Sequence, residues 1–510
     1  MGARVSSPPM AKRVLIVGWD GADWEILDPL LEAGELPALQ GLLERGRRGV
    51  SRSCLPSHSW AAWPTFLTGR DPGGHGVFDI LEYRPGAARR MPVSWKSILA
   101  PTWPERVSDA GKTTLLLNVP LTYPPPEIQG TVIAGGVLPV RTDFSHPPEA
   151  GPRLGWPING CSWTTFRHRP AELVDDLENL TRKRAAAMRT LLDEEPWDVC
   201  CAVFVSTDRA QHCLLEYVHP GHPAHAEAAA SPVADRVRGL YRLLDRELAT
   251  LLERADEDDL VILMSDHGHH PCTRAVSMNK VLQELGFLRF ARGSWLVNLI
   301  SWGRIRSLAR VVYDRLGLHG RVKVPTPPID WEKTRAYTSV VSTGEGVSLS
   351  LEGREPQGTV KREDYERVRD EVAQALLDFT DPDTGGHPID AVLRKEEVLS
   401  GAYLDRAPDL LLEPAPLYSL SHARRMVEAA DWLSGDHRPE GIYVMAGPGI
   451  EPGEGSEISL GDFANQIMDA VGIEPDPDWG QALTHEPVGS FSEDEERQIE
   501  ERLRGLGYLE

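Results

Sequence analysis

Short runs of nearly continuous apolar residues, each about one strand long, constrain the fold of this chain more than any other feature. They are Val14–Trp19, Thr114–Val119, Val132–Gly135, Val199–Val205, Leu260–Met264, Leu410–Leu412 and Ile442–Met445. A strand with one wet face alternates apolar and polar side chains. Continuous apolar character therefore marks strands covered on both faces, as in a largely parallel sheet. Between the runs lie segments with helical spacing: Asp23–Ala33, Pro37–Arg45, Ala171–Leu192, Ala234–Arg254, Tyr365–Leu377 and Asp462–Val471. This alternation predicts an α/β sandwich.

Two stretches break the rhythm. Residues 136–170 are rich in Pro, Gly and aromatics and read as a loop excursion. Residues 288–335 contain SWLVNLISWGRIRSLARVVYDRLG and then KVPTPPIDW, a helical insertion with a Pro-rich return. It reads either as a cap beside an active site or as a surface elaboration. The expected organisation is a core over 11–287, the insertion over 288–335, the rest of the core over 336–490 and a terminal helix over 491–510. Residues 1–10 read as a loose leader, with Met10 as an alternative start.

The formal charge of −22 is spread along the chain and gives no bulk attraction to nucleic acid or anionic membrane. An anionic substrate needs a local positive site, which bound cations can supply. The six cysteines (Cys54, Cys161, Cys200, Cys201, Cys213 and Cys272) form no CxxC pair, which fits a reducing compartment. No apolar run approaches the ~20 residues of a membrane span. The expectation is a cytoplasmic protein without nucleic-acid or membrane partners, and the sequence specifies no oligomeric state.

Three of the apolar runs lead into acidic residues. Asp20 follows VLIVGW, Asp208 follows CCAVFVST, and Asp266 with His267 follows LVILMS. In open α/β sheets functional groups gather beyond the carboxyl ends of strands, so these residues should converge. One strand-end Asp alone is more often a helix N-cap; three such ends, two with a nearby His, are less easily explained that way. Asp208 and His212 are four apart and would share one side of a helix. Asp266 and His267 read as a turn, with His269 and His270 ranked as supporting or surface residues. His437 lies in a Gly-rich turn before GIYVMAG, and Ser59 lies between the first and second acidic segments. Mixed carboxylate and imidazole ligands suit Zn²⁺. Two divalent ions about 3.5–4 Å apart can clamp the attacking and leaving oxygens of an in-line displacement, and a coordinated serine hydroxyl becomes a competent nucleophile.

With these residues assembled, the chain resembles the alkaline phosphatase superfamily. It looks closest to a prokaryotic group within the type I phosphodiesterase/nucleotide pyrophosphatase branch. The segments that carry the resemblance are WDGADW, TGRDPGGHGVFD, MNKVLQELGFL, GREPQGTV, APDLLLEP, DFANQIMDAVGI and LRGLGYL. The resemblance implies a three-layer α/β/α sandwich with a mostly parallel central sheet and a helical cap insertion. It also implies two divalent metal ions, Zn²⁺ with Mn²⁺ as the alternative. One would be held by Asp208, His212 and His437, the other by Asp20, Asp266, His267 and the nucleophile. The family nucleophile lies nine residues before the Thr of a Thr-Gly pair, and counting back from Thr68-Gly69 reaches Ser59. Cys54, in the sulfatase-like CLPSH, lies fourteen residues before Thr68 and has His58 where the sulfatase motif closes with Arg. It is therefore read as structural.

The resemblance departs at Ala62, which stands where nucleotide pyrophosphatases carry a phosphate-contacting Asn. Arg274, Arg354 and Arg438 are the candidates for orienting phosphate. The implied activity is hydrolysis of a small phosphate ester or nucleotide-like substrate through a phosphoserine. An acceptor alcohol in place of water would make the enzyme a phosphotransferase or mutase, and a metal-binding relic without activity is the third reading.

Overall fold

A computed structural model describes residues 11–83, 90–137, 143–155, 169–291, 329–355, 357–421, 423, 425–430, 433–474 and 491–505. The anticipated insertion over 288–335 lies largely outside these residues. Of the excursion over 136–170, residues 138–142 and 156–168 lie outside them, and the described part is not all loop: it holds the edge strand Ser145–His146 and the short helix Ala150–Arg153. The chain divides into two compact units. The first comprises Met1–Cys272, Val398–Ala407 and Asp431–Leu503; the second comprises Thr273–Glu397, Pro408–Ala430 and Arg504–Glu510.

The first unit is built on one large sheet. Its strands run in the order Gly453–Glu454, Arg47–Arg52, Glu440–Ala446, Leu260–Met264, Val14–Trp19, Val199–Phe204, Thr114–Pro120, Gly130–Gly135 and Ser145–His146. From Leu260–Met264 to Gly130–Gly135 all neighbours are parallel. Glu440–Ala446 and Ser145–His146 run antiparallel to the strands beside them. Every residue of Val14–Trp19, Val199–Phe204 and Leu260–Met264 is buried, as uninterrupted apolar runs require.

Two sets of helices complete an α/β/α sandwich. Trp24–Glu32, Pro37–Glu44, Pro170–Glu194, Ser206–Leu214 and Pro232–Leu252 pack in one set, and Ser59–Thr68, Trp103–Asp109 and Asp462–Ala470 in the other. The second set centres on edge-on aromatic contacts, with Phe66 against Trp63 at 5.4 Å and against Trp103 at 6.0 Å between ring centroids. In the first set, the helix starting at Pro37 has no side-chain cap of its own. The buried carboxylate of Asp245, from the helix Pro232–Leu252, instead accepts from the Ala38 and Leu39 N–H groups at 3.0 and 2.8 Å.

The second unit has its own core, formed by residues such as Val276, Leu282, Val347, Val372, Leu376 and Leu412. Its four-stranded sheet runs Ala336–Thr338, Gly346–Leu349, Leu410–Pro414 and Ile389–Arg394, all antiparallel. The run Leu410–Leu412 thus joins this sheet rather than the parallel one: a continuous apolar run reports burial on both faces but not the identity of its neighbours. The fully buried Asp409 ties the unit together. It accepts from Arg354 Nη2 at 2.6 Å, the Leu349 N–H at 2.7 Å and the Tyr365 hydroxyl at 2.7 Å.

Close packing joins the central strand to the helix behind it. A Cβ on Gly18 would lie 2.9 Å from Trp63 Cη2 and 3.1 Å from Val203 Cγ2, so a larger residue must displace a fully buried indole. Gly18→Val is expected to destabilise the protein by about 1–3 kcal/mol through overpacking. The denaturant midpoint measures this, and an unchanged midpoint would contradict the packing described.

Candidate functional site

The three central strands end together. Trp19 is in register with Phe204 and Gly18 with Met264, so the residues that follow emerge at one edge of the sheet. Asp20 comes directly after its strand and Asp266 two residues after Met264. Asp208 and His212 lie one turn apart in Ser206–Leu214, the helix that begins as its strand ends. The fourth segment is Gly435–Arg438, antiparallel to Gly268–Pro271 with His437 directly opposite His269. Directly opposed residues share one face, and the two rings are 5.2 Å apart at their centroids.

One group comprises Asp20, Asp266 and His267, all buried. His267 Nε2 stands 3.3 Å from Asp266 Oδ2 and 3.7 Å from Asp20 Oδ1. Ser59 joins them: its hydroxyl donates to Asp20 Oδ1 at 3.2 Å, and its Oγ is also 3.2 Å from His267 Nε2. Ser59 begins the helix Ser59–Thr68 and is the one partly exposed residue between Pro56 and Thr68. The other carboxylate oxygens are anchored. Trp63 Nε1 donates to Asp20 Oδ2 at 3.3 Å, and the Gly21 N–H donates to Asp266 Oδ1 at 3.2 Å. Each carboxylate is thus turned so that its second oxygen faces the group.

The other group is Asp208, His212, His269 and His437, also buried. Three Nε2 atoms surround Asp208 Oδ1, at 3.3 Å for His212 and 3.5 Å for His269 and His437. Even so, this oxygen has no well-directed hydrogen bond. The rings are oriented from behind, where His212 Nδ1 faces the Gly435 carbonyl at 3.0 Å and His269 Nδ1 faces the Gly21 carbonyl at 3.2 Å. A carbonyl only accepts, so each Nδ1 carries hydrogen and each Nε2 is left to face inward. His212 Nε2 and His437 Nε2 then meet at 3.0 Å, a contact of two lone pairs unless a positive charge lies between them.

The electrostatics agree. Burial, then the charges of Asp266 and Asp208, push the Asp20 carboxyl well above its usual range, and burial raises Asp266 to about 7. Burial opposes the charge of Asp208 as well, but His212 and His437 outweigh it and hold that carboxyl well below its usual range. His212 is raised to about 9, Asp208 overcoming burial. Burial keeps His269 and His437 neutral, His437 at about 3. Protons thus stand in for missing positive charge. Both groups, with convergent oxygen and nitrogen donors, fit divalent cations by chemistry and by their unsatisfied inward atoms.

Every ligand candidate named from the sequence lies in one of these groups. His269, ranked there as a supporting or surface residue, stands among the donors. The signal for it was period-two alternation: His267 and His269 fall on one face if the chain is extended rather than turning. Of the three arginines, Arg274 binds Asp381 and Arg354 binds Asp409 within the second unit, while Arg438 binds Asp23 and Glu25 in the first. Ala62 is buried in the helix that Ser59 begins. Burial raises the Cys54 thiol to about 12, the state of an unreactive thiol.

A sandwich whose central strands deliver carboxylates and imidazoles to one edge defines a class of metal-assisted hydrolases. The type I phosphodiesterase/nucleotide pyrophosphatase family model matches residues 14–440, and the chain belongs to that family, within the alkaline phosphatase superfamily. It is accordingly a phosphoric ester hydrolase. Among solved structures it resembles phosphonoacetate hydrolase from Sinorhizobium meliloti 1021 in complex with phosphonoformate. That match has 18% identity and a TM-score of 0.58, covering 92% of this chain and 98% of the other. It also resembles human ectonucleotide pyrophosphatase/phosphodiesterase 5, with 13% identity and a TM-score of 0.50, covering 91% of this chain and 96% of that one. These likenesses show the fold. No curated protein sequence matches the chain. Among the described residues, no helix is long and apolar enough to cross a membrane.

Binding of cations must displace the protons held by Asp20, Asp266 and His212. Because those groups are raised, to about 7 for Asp266 and about 9 for His212, metal affinity should fall as pH is lowered from 8.5 to 6, with protons released on binding. Titration calorimetry of the metal-free protein in buffers of differing ionisation enthalpy measures both. A flat affinity with no proton release would refute this account of the site.

Proposed function

We propose that the protein is a two-metal phosphodiesterase or nucleotide-pyrophosphatase-like enzyme that works through a phosphoserine at Ser59. The observation that carries this reading is the placement of the Ser59 hydroxyl. It alone is partly exposed in its segment, and it lies 3.2 Å from both an oxygen of Asp20 and Nε2 of His267. Ser59 Oγ attacks phosphorus, the Oγ–P bond forms, and the bond to the leaving alcohol breaks. Water then attacks phosphorus from the opposite side and the Oγ–P bond breaks, releasing the phosphoryl group and restoring the hydroxyl. Two inversions give net retention.

Asp20, Asp266 and His267 would hold one cation beside Ser59, and Asp208, His212 and His437, with His269 beside them, the other. When bound, Zn²⁺ (or Mn²⁺) would lower the pKa of the serine hydroxyl and neutralise charge building on phosphoryl oxygens. The protein's own part is alignment. Trp63 and the Gly21 N–H fix the carboxylates, Asp20 Oδ1 aims the hydroxyl, and the backbone carbonyls fix which imidazole nitrogen faces inward. A small-molecule phosphate ester fits the family. Commitment of Arg274, Arg354 and Arg438 to carboxylates supports a singly charged diester over a dianionic monoester. The free cysteines Cys54, Cys200 and Cys201 support a reducing, cytoplasmic setting.

Ser59→Ala is expected to lower turnover of bis-p-nitrophenyl phosphate by at least about 10³-fold, as loss of a nucleophile does, while metal content stays at the wild-type level by elemental analysis. Wild-type rates in a metal-replete variant would sink the mechanism. Product analysis with added alcohol distinguishes hydrolysis from phosphotransfer, and matched monoester, sulfate and phosphonate substrates define the ester class.

A further inference from the structure

Beyond the two ligand groups, a partly buried ion pair links three of the segments that build them. Asp23 has a fully buried side chain. Its Oδ1 accepts from Arg438 Nη2 at 2.7 Å and from the Glu25 N–H at 2.8 Å, and its Oδ2 accepts from the His269 N–H at 3.1 Å. Arg438 directly follows His437, and its other terminal nitrogen binds Glu25, whose second oxygen lies 3.1 Å from His219 Nε2. One carboxylate therefore grips the backbone of His269 and, through Arg438, the residue next to His437.

The surrounding backbone leaves no slack. A Cβ on Gly268 would lie 2.7 Å from Asp23 Oδ2 and 2.1 Å from the Glu440 carbonyl oxygen. Gly21, with φ +68°, carries the carbonyl that orients His269, and a Cβ there would lie 2.6 Å from the His269 ring. His269 is thus held both by its backbone, through Asp23, and by its ring, through Gly21. Among the described residues, no arginine or lysine is in ion-pair contact with Asp20 or Asp266, which are anchored by Trp63 and the Gly21 N–H. The strand pairing places His437 opposite His269, so a shift of either segment would disturb the Asp208 group first.

We infer that Arg438 and Asp23 form a positioning pair for one of the two cation sites: they hold His269 and His437 in register around Asp208, and their loss weakens that site while sparing the one beside Ser59. Arg438 is not a phosphate ligand on this account, since both terminal nitrogens are committed to carboxylates. Removing a partner that orients metal ligands typically lowers affinity by about 10- to 100-fold. Lysine offers a point charge on a flexible stem in place of the planar guanidinium that meets Asp23, so charge alone should restore little.

The inference rests on the two-metal reading, and the test separates the two. Zn²⁺ is titrated into metal-free wild-type protein and into Arg438→Gln, Arg438→Lys, Asp23→Asn and Glu25→Gln, with His212→Ala as the reference for loss of the Asp208 site. Arg438→Gln is expected to weaken, by about 10- to 100-fold, the binding step that His212→Ala removes, and to leave the other within about twofold of the wild type. Activity at limiting Zn²⁺ should fall and recover in excess Zn²⁺ with KM for the ester nearly unchanged. Arg438→Lys and Asp23→Asn should behave alike, whereas Glu25→Gln, which spares the Asp23 pair, should stay near wild type. If Arg438→Gln does not fold, the isosteric Asp23→Asn decides the matter. Two ions bound normally by these variants, or both weakened equally, would overturn the inference alone. A wild-type stoichiometry below two would overturn the two-metal reading and, with it, the site assigned to this pair.

Discussion

The concentration of buried negative charge at one sheet edge is the constraint on which the rest of this structure depends. Asp20, Asp208 and Asp266 are each at most 4% exposed, and an ionised carboxylate buried without compensation is too costly to persist. The protein answers with single, directed donors: the indole of Trp63 for one oxygen of Asp20 and a backbone N–H for one oxygen of Asp266. Neither completes the hydrogen bonding of its carboxylate, and Oδ2 of Asp266 and Oδ1 of Asp208 have no well-directed partner. That incompleteness separates this edge from the Asp409 network of the second unit, where donors fill the carboxylate. A stability-driven site resembles Asp409; a site waiting for charge resembles Asp208.

Much of the architecture was legible in the sequence because its signals were of long range and one kind. Seven apolar runs all became strands. Pro170–Glu194 and Pro232–Leu252 differ from their expected bounds by one or two residues, since proline at a helix start and apolar spacing mark both. Arg47–Arg52 escaped, because RRGVSR has no apolar pattern. It is a strand through its pairing with Glu440–Ala446, and Arg48 both binds Asp28 at 2.8 Å and lies over the Trp24 ring at 3.8 Å. Leu410–Leu412 was recognisable as a strand but not as part of another sheet, because hydrophobicity encodes burial and partner choice depends on the whole chain.

The candidate site divides along the same line. Asp20, Asp208 and Asp266 could be gathered on paper because they follow strands, and strand ends share an edge once the strands are parallel. His437 could be included only through the resemblance, since its own segment reads as a loop; in the fold it is a short strand paired with Gly268–Pro271. His269 was hidden by reading the residues after Met264 as a turn, which puts successive side chains in unrelated directions. In an extended segment the same residues alternate, and His269 falls beside His267. Asp23 appeared in the sequence only as the first residue of a helical segment, and in the fold it caps that helix. Nothing local announces that the same carboxylate also receives Arg438 from more than 400 residues away.

The charge balance of the site bears on the ester it can accept. With two divalent cations in the two groups, three carboxylates leave one net positive charge, because Arg438 is neutralised by Asp23 and Glu25 and the inward imidazoles are neutral ligands. Conversion of Ser59 to its alkoxide cancels that charge. A phosphodiester brings one negative charge into this buried setting, and a monoester dianion brings two, while Arg274, Arg354 and Arg438 are each already held by carboxylates. In a site of low effective dielectric such a mismatch is amplified rather than screened. The chain as a whole, at a formal −22, carries the same sign. On the proposed mechanism, the ligand geometry that would activate the Ser59 hydroxyl would therefore also favour the less charged ester.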